Sequence, residues 1–173
     1  MRRLSVILGL FSVFAVPAAA LAATSAPSDG SLVVKNGQAP LNTPVVTLQI
    51  TGSVIGEVDG YGKLVIDAGP NADATAEPQV TGGGLPSDSS RSPTAQVWKN
   101  TSFKFRAVGG SYTILVYGSG VNLVAVGSGT VRLAGMPDTP SGDGRYSLNG
   151  DDFVSLPGNQ TDKRSIGSIG SNG

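Results

Sequence analysis

The sequence predicts an all-β domain, an antiparallel β-sandwich or flattened barrel of about eight to ten short strands. Three observations predict it. Apolar and polar residues alternate with period two along most of the chain, as strands with one buried face require. Glycine clusters and an Asn-Gly pair punctuate those runs, drawing on 25 glycines in 173 residues. No stretch beyond residue 22 carries a helical period. A short β-helix is the alternative, because Gly-x-Gly corners with β-branched runs can also stack as coils.

Residues 1–22 read as a secretory signal peptide. Arg2 and Arg3 give a positive start, and Leu4 to Val16 form an apolar run too short to stay in a bilayer. Pro17 breaks the run, and Ala20-Leu21-Ala22 offers the small residues of a cleavage site. The expected mature chain begins near Ala23, is secreted or cell-surface associated, and has no membrane span. Residues 23–30 are expected to be a flexible leader, followed by a single β domain over 31–156.

Within that domain Val46, Leu48 and Ile50 alternate with polar partners. Val54, Gly56 and Val58 alternate with Ile55, Glu57 and Asp59, and Leu64 and Ile66 with Lys63, Val65 and Asp67. Residues 69–97 break the pattern and are expected to be a long loop, in which only Gln79-Val80-Thr81 could pair. Strands resume with Phe103, Phe105 and Ala107 facing one side and Lys104, Arg106 and Val108 the other. Gly109-Gly110 predicts a two-residue hairpin turn. Tyr112 to Tyr117 is apolar on both faces, which predicts a central strand covered on each side. Gly118-Ser119-Gly120 predicts a turn before Val121, Leu123 and Ala125, which alternate with Asn122, Val124 and Val126. Val131 and Leu133 follow. Asn149-Gly150 is a strong hairpin signal, with Phe153 to Leu156 as the return strand. Residues 157–173 are expected to be a disordered Gly/Ser-rich tail. An offset of 67 residues superposes Leu48 on Leu115, Val54 on Val121 and Leu64 on Val131, which suggests an internal duplication and two packed sheets.

Composition excludes more than it selects. The chain has no cysteine and no histidine. Thiolate nucleophiles, Ser-His-Asp triads and His- or Cys-based metal sites are therefore impossible. Charge is balanced overall but uneven along the chain. Residues 24–90 carry seven acids against Lys35 and Lys63, whereas residues 91–136 carry five basic residues and no acid. The signal removes Arg2 and Arg3, leaving ten basic against twelve acidic side chains, a net charge of −2.

The basic block supplies one candidate site. Lys99, Lys104, Arg106 and Arg132 could bind an anionic cell-envelope polymer, or could simply offset the acidic first block. Trp98 and Tyr61 are candidates for stacking on a sugar, although Trp98 could instead anchor the loop with its ring over the edge of the core. Phe103 and Phe105 point away from the charges, so they belong to the core and not to a nucleic-acid surface. Glu57 with Asp59, or Asp151 with Asp152, are the carboxylate pairs open to a histidine-free glycoside hydrolase. Asp138, Asp143, Asp151 and Asp152 cluster without any calcium-loop spacing, so no metal is assigned. No catalytic residue and no cofactor is expected.

The block from Phe103 to Gly135 (FKFRAVGGSYTILVYGSGVNLVAVGSGTVRLAG), with Tyr146 to Gly150 after it, resembles uncharacterised exported β-rich proteins of actinobacterial type. That resemblance implies a fold and an export route, and it carries over no functional residue. The expected function is an exported, non-catalytic β module that binds or forms part of the cell envelope or extracellular matrix. Its partner would be an anionic polymer or a protein. The alternatives are a carboxylate-dependent glycoside hydrolase and a secreted inhibitor or self-assembling β protein.

Overall fold

A computed structural model describes residues 29–69, 77–88, 92–136, 144–158 and 163–167. The expected signal peptide, most of the leader and parts of the 69–97 loop lie outside these. The described residues form an all-β protein whose one antiparallel sheet curls into a half-barrel. Nine strands compose it: β1 (Gly30–Gly37), β2 (Val46–Asp67), β3 (Gln79–Thr81), β4 (Ser87–Asp88), β5 (Ala95–Gly127), β6 (Gly129–Leu133), β7 (Arg145–Leu148), β8 (Val154–Ser155) and β9 (Arg164–Ile166). Every ladder among them is antiparallel. A β-helix stacks its strands in parallel, so that alternative does not hold.

The strands are not all short. β2 has 22 residues and β5 has 33. A straight strand of 33 residues would reach about 110 Å, several times the width of a domain this size, so it has to bend. The register shows where. Gly52 faces Gly110, yet the next residue, Ser53, faces Val108. Gly109 is therefore the extra residue of a bulge, with φ 73 in the left-handed region that suits glycine. The expected hairpin at Gly109-Gly110 is corrected accordingly: β5 runs through it, because β2 continues alongside and bends with it. Gly118-Ser119-Gly120 is likewise no turn, since β5 continues through it while the register shifts beside Gly60-Tyr61-Gly62.

These bends divide the ladders into two layers. One runs β8, β7, β1, then residues 121–127 of β5, 54–59 of β2, 102–107 of β5, and β3. The other runs β9, β6, then 46–52 of β2, 113–118 of β5, 62–67 of β2, 95–100 of β5, and β4. Inward side chains of both layers meet in one core, among them Leu32, Val58, Phe103, Phe105 and Leu123 from the first and Leu48, Leu64, Trp98, Ile114 and Leu133 from the second. Phe103 and Phe105 are thus core, as the alternation predicts. Tyr112 to Tyr117 is the central strand expected: Tyr112, Ile114 and Val116 face that core, while Tyr117 joins Val65 and Ala95 in a second cluster outside it.

Other expectations change at the ends. Gly30 belongs to β1, not to the leader. The 69–97 segment holds β3, where pairing was expected, and also β4 and the start of β5. The disordered tail is corrected at residues 164–166, which form β9 against β6 and bury Ile166 completely. One apolar residue on a three-residue strand gave too little pattern to read. The 67-residue offset holds for Val54 with Val121 and for Leu64 with Val131, all buried in the core. It fails for Leu48 with Leu115, because Leu48 is in the main core and Leu115 packs on the outer cluster. A shift of one residue reverses the face of a strand.

Candidate functional site

The first layer's outer face is a small grid set by the ladders. In one row Arg106 lies opposite Ile55, Ile55 opposite Val126, and Val126 opposite Ser31. In the next, Lys104 lies opposite Glu57, Glu57 opposite Val124, and Val124 opposite Val33. Ile55, Val124 and Val126 are large apolar side chains left about half exposed, at 55%, 51% and 49%. They adjoin across strands, so they form one apolar strip and not scattered contacts. Basic side chains stand on both flanks. Lys104 and Arg106 stand on one, and Lys35 beside Arg145 on the other.

The charges are partly engaged. Lys104 Nζ is 3.4 Å from Glu57 Oε1, with both side chains open to water, so the pair adds little stability. Asp59 accepts a 2.8 Å hydrogen bond from the Ser102 hydroxyl. Lys35 Nζ lies 4.4 Å from the centre of the Phe153 ring, and Arg145 donates to the Phe153 carbonyl at 3.2 Å.

The four basic residues proposed from sequence do not gather on one face. Lys104 and Arg106 share the face just described. Lys99 lies in the other layer, opposite Lys63. Arg132 also lies in that layer, opposite Thr47, four strand spacings from Lys99, or about 19 Å. Clustering along the sequence therefore did not mean clustering in space. Lys35 and Arg145 were missed as members of the face, because only the β1–β5 and β1–β7 ladders bring them there. Ile55, Val124 and Val126 were legible as outward residues from alternation, but nothing in the sequence said that they adjoin.

Of the two sugar-stacking candidates, Trp98 is corrected. Trp98 is 4% exposed and belongs to the core, opposite Leu64. Gly83 lies over it: a Cβ at that glycine would stand 2.9 Å from atoms of both the Trp98 and Phe103 rings. The ring is roofed and offers no platform. Tyr61 is 81% exposed at a bend of β2.

Glu57 and Asp59 do share an outer face, about 7 Å apart along the strand. A general acid of the glycosidase kind needs an apolar, water-poor setting, whereas the Glu57 side chain is 48% exposed and paired with Lys104. Asp151 and Asp152 are exposed beside the Asn149-Gly150 turn. Among the described residues no group of three or more acidic side chains is placed to hold a metal ion. Also among them, no helix is long and apolar enough to cross a membrane.

Asp67 has a different setting. Burial pushes its carboxyl up, but hydrogen bonds from Thr94, the Gly69 amide and Ser92 outweigh that and hold it below 3.8. The Thr94 hydroxyl donates at 2.6 Å and the Gly69 N–H at 2.9 Å. One carboxylate thereby ties the end of β2 to the residues that lead into β5. Its role is to hold the two ends of the 68–94 connection.

No family model, curated protein or solved structure matches the chain.

Proposed function

We propose that this chain is an exported, non-catalytic β module that docks to the cell envelope or extracellular matrix through the outer face of its first layer. The observation that carries the proposal is the apolar strip of Ile55, Val124 and Val126 between Lys104 and Arg106 on one side and Lys35 and Arg145 on the other. An anionic polymer would be attracted at low salt by the excess of these four cations over Glu57 and Asp59 on the same face, and the strip would add contact area that salt does not screen. The candidate signal peptide over residues 1–22 supports the export route. The lack of histidine and cysteine supports a binding role over a catalytic one.

The test is co-sedimentation with insoluble envelope fractions over a salt series. Lys104→Glu with Arg106→Glu should abolish a salt-sensitive association. The same change at Lys99 and Arg132, on the other layer, should leave most of it. Equal loss in both variants, or loss in neither, would refute this site.

A further inference from the structure

The Asn149-Gly150 turn does more than reverse the chain, and what it does is independent of the docking face. Asn149 has φ 54 and Gly150 φ 85, the paired left-handed conformation of a tight hairpin turn. The Asn149 carboxamide then reaches across to β9. Its Nδ2 donates to the Ser165 carbonyl at 3.1 Å, and its Oδ1 accepts from the Gly167 N–H at 3.0 Å. It thus engages both hydrogen-bonding groups that flank Ile166. The Asn149 N–H itself donates to the Ser31 carbonyl at 2.7 Å, and a side chain at Gly30 would collide with the carboxamide. One residue, through its backbone N–H and its carboxamide, therefore joins the start of β1, the β7 turn and the end of β9. Besides this clamp, β9 is held by a three-residue ladder to β6 and by buried Ile166.

Asn followed by Gly is also the pair most open to deamidation, because glycine has no side chain to obstruct its own nitrogen. Gly150 is exposed, and among the described residues no hydrogen bond engages its N–H. We propose that Asn149 is a self-modification site whose deamidation releases the C-terminal strand β9 from the sheet edge at β6. The Gly150 nitrogen attacks Asn149 Cγ and forms a new C–N bond. The Cγ–Nδ2 bond breaks, and ammonia leaves with the proton lost from the Gly150 amide. Water then opens the cyclic imide to aspartate or isoaspartate. A carboxylate accepts hydrogen bonds and cannot donate them, so the Ser165 carbonyl loses its donor and faces a negative charge. Isoaspartate also lengthens the backbone within the turn. While closed, the two hydrogen bonds to β9 fix the carboxamide, so modification follows local opening and then prevents reclosure.

The chain contains an internal control. Asn36-Gly37 is a second Asn-Gly pair with positive φ at the asparagine, but Gly37 is buried and lies in the β1–β5 ladder. The full chain is incubated in mildly alkaline buffer, and its peptides are mapped for the gain of about one mass unit. Asn172-Gly173 falls in a separate peptide. Conversion at Asn149 is expected to exceed that at Asn36 by about tenfold, as their different access to local opening implies. Converted chains should lose amide-exchange protection at residues 164–166 and at the β6 amides that point to β9, and keep it in the β2–β6 and β2–β5 ladders. Asn149→Asp should show the same loss without incubation. Conversion at Asn149 no faster than at Asn36 would overturn the proposal. So would converted chains, or Asn149→Asp, with β9 still protected. If Asn149→Asp fails to fold, the exchange pattern of the incubated chain decides.

Discussion

The Phe105 ring occupies the space that a side chain at Gly56 would fill. The two residues lie opposite each other in the β2–β5 ladder, and a Cβ at Gly56 would overlap the ring. Gly56 does not have a positive φ, so the need for glycine here is steric and not conformational. Overfilling a packed core costs about 1–3 kcal/mol, and Gly56→Ala should lower stability by that amount. Phe105→Ala should cost about 3–5 kcal/mol through the cavity it leaves. Adding Phe105→Leu to Gly56→Ala should recover part of the first loss, a coupling of about 0.5–3 kcal/mol. Denaturant melts of these variants and of Phe105→Leu alone measure this, and strictly additive losses of Gly56→Ala and Phe105→Leu would contradict the contact.

Trp98 is the only tryptophan, and it is buried. Its fluorescence should be blue-shifted and poorly quenched in the folded protein, and should shift red in one cooperative step on unfolding. Added oligosaccharides should leave the emission unchanged. Trp98→Ala should cost about 3–5 kcal/mol. An emission spectrum typical of water-exposed tryptophan would place the ring outside the core.

Asp67 predicts a pH dependence with a definite sign. Its folded pKa is depressed, so the carboxylate contributes stability above its unfolded pKa of about 4. That contribution is lost as pH falls through the lower, folded value. Asp67→Asn should therefore be less stable than wild type at neutral pH, with the gap closing in acid. Thr94→Val should narrow the same gap by removing one donor. A gap that stays constant from neutral to strongly acidic pH would exclude a role for the ionised carboxylate.

Much of this fold was legible in the sequence, and the omissions have physical causes. Alternation gave the faces of Phe103, Phe105, Leu123 and Val131 correctly, because one buried face imposes period two. It could not separate a turn from a bulge at Gly109-Gly110. Both want glycine with positive φ, and only a partner strand that continues past the site decides between them. The place of Trp98 after a loop fitted both a stacking site at the loop edge and a ring that covers the core, and its inward position on β5 beneath Gly83 decides for the core. The candidate face was half legible. Ile55, Val124 and Val126 were outward by alternation, but their adjacency depends on ladders between residues about 70 apart in sequence.

Export makes its own prediction. Protein recovered from outside the producing cell should begin near Ala23, as its N-terminal sequence or intact mass would show. Full-length chain retained inside the cell, with residues 1–22 attached, would contradict it.

Amide exchange with and without an insoluble envelope fraction tests the docking surface most directly. The account predicts added protection or lost accessibility confined to the first layer: residues 31–35, 54–59, 102–107, 121–127 and 145–148. It also predicts that the effect fades as salt rises. Protection centred on Lys63, Lys99 and Arg132 in the other layer, or none at low salt, would contradict it.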